Sequence, residues 1–97
     1  MNDFASMTDG ELNLAAAKAS GLSRCFASQS LDDVKRLAEA LGIGVRVELY
    51  AHKRNDGTRY RCGAYAWVRE CNHWVAAHNP ARAATIAILT VWEEKKK

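Results

Sequence analysis

Between Thr58 and Arg69 the chain alternates two unlike kinds of side chain. In a strand, Tyr60, Cys62, Ala64, Ala66 and Val68 point one way. Arg59, Arg61, Tyr65, Trp67 and Arg69 point the other way, with Gly63 among them. The first set is mostly small and apolar and suits a core. The second joins guanidinium groups to large aromatic rings, the residue types most enriched at the energetic centres of interfaces. Their chemistry is recognition. Guanidinium forks pair with carboxylates or phosphates, and ring faces accept apolar groups or bases. Arg46 and Tyr50 lie on the outward side of the preceding strand and extend the set. The candidate partner-binding residues are therefore Arg59, Arg61, Tyr65, Trp67, Arg69, Arg46 and Tyr50. The competing reading is that these arginines only stack on the rings and cover the sheet, pairing with Glu48 or Glu70.

Catalysis has weaker candidates. Nucleophilic catalysis needs a Ser or Cys beside a His and an orienting carboxylate. Cys71 and His73 are the nearest approach, and no acid is evident from the sequence. For zinc, Cys71 and His73 can share a strand face, but Cys62 belongs to the opposite register and His78 abuts a helix cap. The carboxylate pairs Asp32/Asp33 and Glu93/Glu94 fall at helix ends, where capping or solvation accounts for them. No glycine-rich phosphate loop is present. The residues point to a non-enzymatic protein without metal or cofactor.

The elements that must position these residues follow from period and punctuation. Thr8-Asp9-Gly10-Glu11 is a capping box, and it opens an Ala-rich helix that ends near Ser20, with Gly21 as its left-handed stop. Residues 22–29 read as a loop. Ser30 caps a second helix whose apolar stripe is Val34, Leu37, Ala38 and Leu41, and Gly42 stops it. Val45, Val47, Leu49 and Ala51 then alternate with Arg46, Glu48, Tyr50 and His52, the pattern of a half-buried strand. Asn55-Asp56-Gly57 supplies a hairpin turn, and Glu70-Cys71-Asn72-His73 reads as a second one. Asn79-Pro80 opens the last helix, which runs to about Glu94 with Ala81, Ala84, Ile88, Val91 and Trp92 on its main stripe. Ile86 and Leu89 lie off that stripe. They belong either to a broad buried face or to a second contact surface such as a homodimer interface.

The expected fold is α+β in one domain spanning residues 1–97. It has two N-terminal helices, a three-stranded antiparallel meander at about 43–52, 58–69 and 73–78, and a C-terminal helix packed on the sheet. Helices on one face leave the other face open, and that is the Arg/Tyr/Trp face. A chain of 97 residues suffices for a core without staples. The three cysteines include no CxxC pair, so a reducing compartment and unpaired thiols are expected. Neither a signal peptide nor an apolar run of membrane-spanning length is evident, so a soluble cytoplasmic protein is expected. The net charge of +3 is uneven. Residues 1–42 carry four Lys/Arg against six Asp/Glu, and residues 43–97 carry ten against five.

Two segments carry a resemblance. Met7 to Gly21 is a capped Asp-x-Glu-Leu-Asn followed by an Ala-rich turn and Gly. Asn79 to Leu89 is a Pro-Ala-x-Ala helix that follows an aromatic-containing strand. Both resemble the opening and closing helices of small proteins of tailed phages and prophages, the phage α/β (ABA) sandwich family. The likeness covers about a third of the chain, and both motifs are structural, so no functional residue is carried over. It implies an accessory protein acting in a bacterial host cell. Its expected role is to bind and inhibit a host protein complex, such as a CRISPR effector. The alternative is a nucleic-acid-binding module, because helix, three antiparallel strands, helix is also the order of double-stranded RNA-binding domains. There the start of the last helix is basic, whereas here it is Asn79-Pro80-Ala81-Arg82, and the extra early helix departs from that pattern.

Overall fold

A computed structural model describes residues 3–22, 25–48, 52–53, 57, 59–60 and 62–95. After a short 3₁₀ turn at Phe4–Ser6 come α1 (Asp9–Ser20), α2 (Leu31–Leu41) and, closing the chain, α3 (Pro80–Lys95). Each helix starts where a side chain satisfies otherwise unpaired amides. At α1, the Thr8 hydroxyl accepts from the Glu11 amide (3.2 Å) and the Thr8 amide donates to the Glu11 carboxylate (3.1 Å), a complete capping box. Ser30 caps α2. At α3, Asn79 Oδ1 accepts from the amides of Ala81 (2.8 Å) and Arg82 (3.3 Å). α1 and α2 end at Gly21 and Gly42, with φ of 75° and 68°, a region that suits residues without a Cβ.

The strands are β1 (Gly44–Glu48), β2 (His52–Lys53), β3 (Arg59–Tyr60), β4 (Cys62–Val68) and β5 (Cys71–Ala77). β1, β4 and β5 form an antiparallel sheet with β4 in the centre, and β2 and β3 pair as a small separate ladder. α3 lies on the sheet. α1 and α2 pack on α3, so α3 is covered nearly all round. Its composition permits this: Ala81, Ala83, Ala84, Ala87, Ile88 and Val91 are buried in the main core with Leu37, Leu41, Ala64 and Ala66. Small residues on α3 and β4 let the helix approach the sheet closely, and dispersion contacts reward that approach. The buried Thr85 hydroxyl returns its proton to the Ala81 carbonyl at 2.8 Å, so its polarity is satisfied within the helix.

The α+β class, the antiparallel sheet and the helix packed on it agree with the sequence reading, and three details differ. First, the long strands expected at 43–52 and 58–69 are each divided between two ladders. Glu48 pairs with Gly63 and His52 with Tyr60, so the ladders are out of step by one residue. A strict alternation carried from Val45 to His52 ignores that extra residue. Second, the turn before β5 is Arg69-Glu70, since Val68 pairs with Cys71. Arg69 takes a φ of 53°, a conformation for which its side chain gives no warning. Third, Ile86 and Leu89 offer no dimer surface. They are 5 % and 1 % exposed and form a second core cluster with Phe4 and Leu12. The N-terminal segment of the same chain meets their apolar area, which is the broad buried face rather than the homodimer. Asn55 and Asp56 lie outside the described residues, while Gly57, with φ 89°, sits between β2 and β3 as a turn residue should.

Candidate binding face

The register decides what faces away from the helices. Gly44 pairs with Trp67, Arg46 with Tyr65 and Glu48 with Gly63. Across β5, Tyr65 pairs with Trp74 and Trp67 with Asn72. Alternation therefore puts Arg46, Glu48, Tyr65, Trp67, Asn72 and Trp74 on one face, with Gly44 and Gly63 beneath them. The opposite face is the core face, where Cys62, Ala64 and Ala66 are buried.

Trp67 and Trp74 remain 39 % and 42 % exposed. Both rings lie down on the sheet, and two glycines make that possible. A Cβ at Gly44 would sit 2.3 Å from the Trp67 ring, and one at Gly63 would sit 2.4 Å from the Trp74 ring. Each indole thus covers bare backbone on a neighbouring strand while staying partly exposed. Tyr65 lies beside Trp67, ring centroids 5.8 Å apart and tilted by 37°, a separation at which aromatic rings attract. Arg46, Tyr65, Trp67, Arg69 and Asn72 line a shallow cleft of about 390 Å³. Arg46 is well exposed, and its guanidinium reaches the Glu48 carboxylate at 3.4 Å. At that exposure the pair is weak and leaves the guanidinium able to exchange partners.

The structure brings together Arg46, Tyr65, Trp67 and Arg69 of the residues singled out in the sequence. Arg69 arrives from the turn rather than from the strand. Arg59 is described by its backbone alone, on β3 opposite Lys53. Arg61 and Tyr50 lie outside the described residues. Sequence reasoning missed Trp74 and Asn72. The signal was present, because His73 and Val75 alternate with them; the expected strand at 73–78 held Trp74 without assigning it a face, and placing a turn over Cys71 and Asn72 left Asn72 out of the strand.

Cys71 and His73 share the other face of β5, and α3 supplies the acid that the sequence did not reveal. His73 Nε2 lies 2.7 Å from Glu94 Oε1, and Cys71 Sγ donates to Glu94 Oε2 at 3.2 Å. The hydrogen bond to Glu94 pushes the Cys71 thiol up from its ordinary value, with desolvation and the charge of the carboxylate adding to it. A raised thiol is a poorer nucleophile at neutral pH, so the arrangement fastens the end of α3 to β5 instead of activating sulfur. Cys25 is buried and likewise raised, chiefly by desolvation. Among the described residues no group of three His, Cys, Asp or Glu side chains could hold a metal ion.

The basic residue at the start of α3 is occupied. Arg82 pairs with Asp9 at 2.9 Å, donates to the Ala5 carbonyl at 3.3 Å and also donates to the Met7 carbonyl. It ties the N-terminal turn and α1 to α3. Lys95 is placed over the Trp92 ring, 5.2 Å from its centroid. Among the described residues no helix is long and apolar enough to cross a membrane. Comparison with protein-family models, with curated proteins and with solved structures finds no match to this chain.

Proposed function

We propose that this is a non-enzymatic binding protein that engages another protein through the open face of its sheet. The observation that carries the reading is the pair of half-exposed, glycine-bedded indoles, Trp67 and Trp74, side by side with Tyr65 and flanked by arginines. Rings already ordered in the free protein lose little freedom on binding, so more of their apolar burial is realised as affinity. Aromatic residues and arginine are also the usual anchors of protein interfaces. The likeness of Met7–Gly21 and Asn79–Leu89 to small phage proteins narrows the partner to bacterial host machinery, with a defence complex such as a CRISPR effector as the first candidate and inhibition as the consequence.

The alternative, a module for duplex nucleic acid, is less favoured by the placement of charge. Arg82, the one basic residue at the start of α3, is spent on Asp9 and two carbonyls. Two assays test the proposal. Pull-down from bacterial lysate with the intact chain is expected to recover a protein complex that Trp67→Ala with Trp74→Ala loses. A gel shift on duplex RNA and DNA at ~150 mM salt is expected to show no complex tighter than the ~10⁻⁴–10⁻⁶ M of nonspecific binding. A tight, steeply salt-dependent complex with nucleic acid would put the alternative first.

A further inference from the structure

The open face has a chemical polarity beyond being apolar. The cleft beside Trp67 has guanidinium groups from two places, Arg46 on β1 and Arg69 in the β4–β5 turn, and no carboxylate among its described lining residues. Among the described residues Arg69 makes no ion pair, and the ion pair of Arg46 is the long contact to Glu48 at 3.4 Å. Arg69 is also held at a φ of 53°, an uncommon backbone conformation for a residue other than glycine. Glycine would adopt it more readily, yet the chain carries a guanidinium here, at the rim of the cleft. Asn72 adds an amide able to donate and accept. The two indoles lie flat over Gly44 and Gly63 and stay partly exposed.

From this charge complementarity we infer that the face takes an acidic segment of a protein partner. Its carboxylates pair with Arg46 and Arg69, and its apolar or aromatic side chains lie on Trp67 and Trp74. The inference rests on the binding-protein reading above and adds the chemical class of ligand. Both parts are needed. An exposed guanidinium–carboxylate pair alone is worth little at physiological salt. Two indole faces alone would accept any apolar surface. Together they select a segment that mixes Asp or Glu with large apolar residues.

The test uses the intact chain and a defined probe, a glutamate-rich random copolymer of glutamate and tyrosine, with tryptophan emission as the readout at ~150 mM salt. Polyglutamate, a lysine–tyrosine copolymer and an oligouridylate serve as comparisons. The expected result is binding of the glutamate–tyrosine copolymer about tenfold tighter than polyglutamate, and no binding of the lysine copolymer. Arg46→Gln with Arg69→Gln, both at the surface, is expected to weaken it about tenfold with the far-UV circular dichroism unchanged. Trp67→Ala is expected to reduce the copolymer's advantage over polyglutamate. Equal binding of copolymer and polyglutamate overturns the inference, as does binding indifferent to the two arginines. A lysate partner held through Trp67 and Trp74 by a protein indifferent to the copolymer overturns the acidic ligand and leaves the binding-protein reading standing. Oligouridylate bound more tightly than the copolymer overturns both.

Discussion

Gly44 and Gly63 shape the candidate site although neither carries a side chain. Alanine at either would place a Cβ inside ring-contact distance. The obstructed atoms belong to half-exposed rings that can swing outward, and alanine in a strand gains back unfolded-state entropy. The expected stability change is therefore small, within about 1 kcal/mol for each. Tryptophan emission should shift to the red as the ring lifts, and affinity for the glutamate–tyrosine copolymer should fall. A large loss of stability with unchanged emission would mean that the sheet, not the ring, gives way. Cys71 makes a second residue-scale prediction. Glu94 raises its thiol, so its thiolate fraction at pH ~8 is below that of an ordinary exposed cysteine. Glu94→Ala should speed its alkylation by iodoacetamide a few-fold. An unchanged rate would show that Glu94 does not control the thiol.

At the scale of elements, the capping box of α1 couples helix stability to acid. The hydrogen bonds from Thr8 hold the Glu11 carboxyl below its ordinary value. A depressed folded-state value means stabilisation that is full above the ordinary carboxylate range and lost as pH falls through the lowered value. Urea midpoints measured from neutral pH down to about pH 3 should fall less steeply for Glu11→Gln than for the unaltered chain, since the glutamine keeps a hydrogen-bond acceptor but does not titrate. Parallel curves would assign the acid loss elsewhere. Thr8→Ala should cost about 1 kcal/mol at neutral pH, the usual effect of removing a cap.

Across the whole molecule, a second core cluster fastens the N-terminal turn and α1 to the far side of α3. In it Leu89 packs with Phe4, Leu12 and Ile86. Leu89→Ala should cost about 2–5 kcal/mol in denaturant unfolding, as buried leucines do, with no change in sedimentation behaviour. A variant that keeps its stability but changes its oligomeric state would restore the dimer interface that the burial of Leu89 argues against. Because α1 and α2 pack on α3, the candidate binding face and the core can be altered separately. Substitution at Arg46 should change binding and leave unfolding nearly unaffected, whereas Trp67→Ala and Trp74→Ala also lose the ring's burial against the sheet and should cost about 1–2 kcal/mol each.

Local signals determined most of the elements. Helix starts at Thr8, Ser30 and Asn79 and the stops at Gly21 and Gly42 depend on neighbours within a few residues, so they were legible in the sequence. The alternation from Cys62 to Val68 likewise separated core from surface, and it gave Tyr65 and Trp67 their place. What depended on distant partners was not legible. The offset between the two ladders and the positive φ of Arg69 arise from strand pairing. The union of Cys71, His73 and Glu94 needed α3 to lie along β5. Trp74 joined the candidate face only when the register set its ring over Gly63, and Ile86 and Leu89 became core only when Phe4 and Leu12 closed over them. Sequence periodicity assigns a side chain to a face, but the free energy of that face depends on what packs against it, and only the assembled fold supplies that partner.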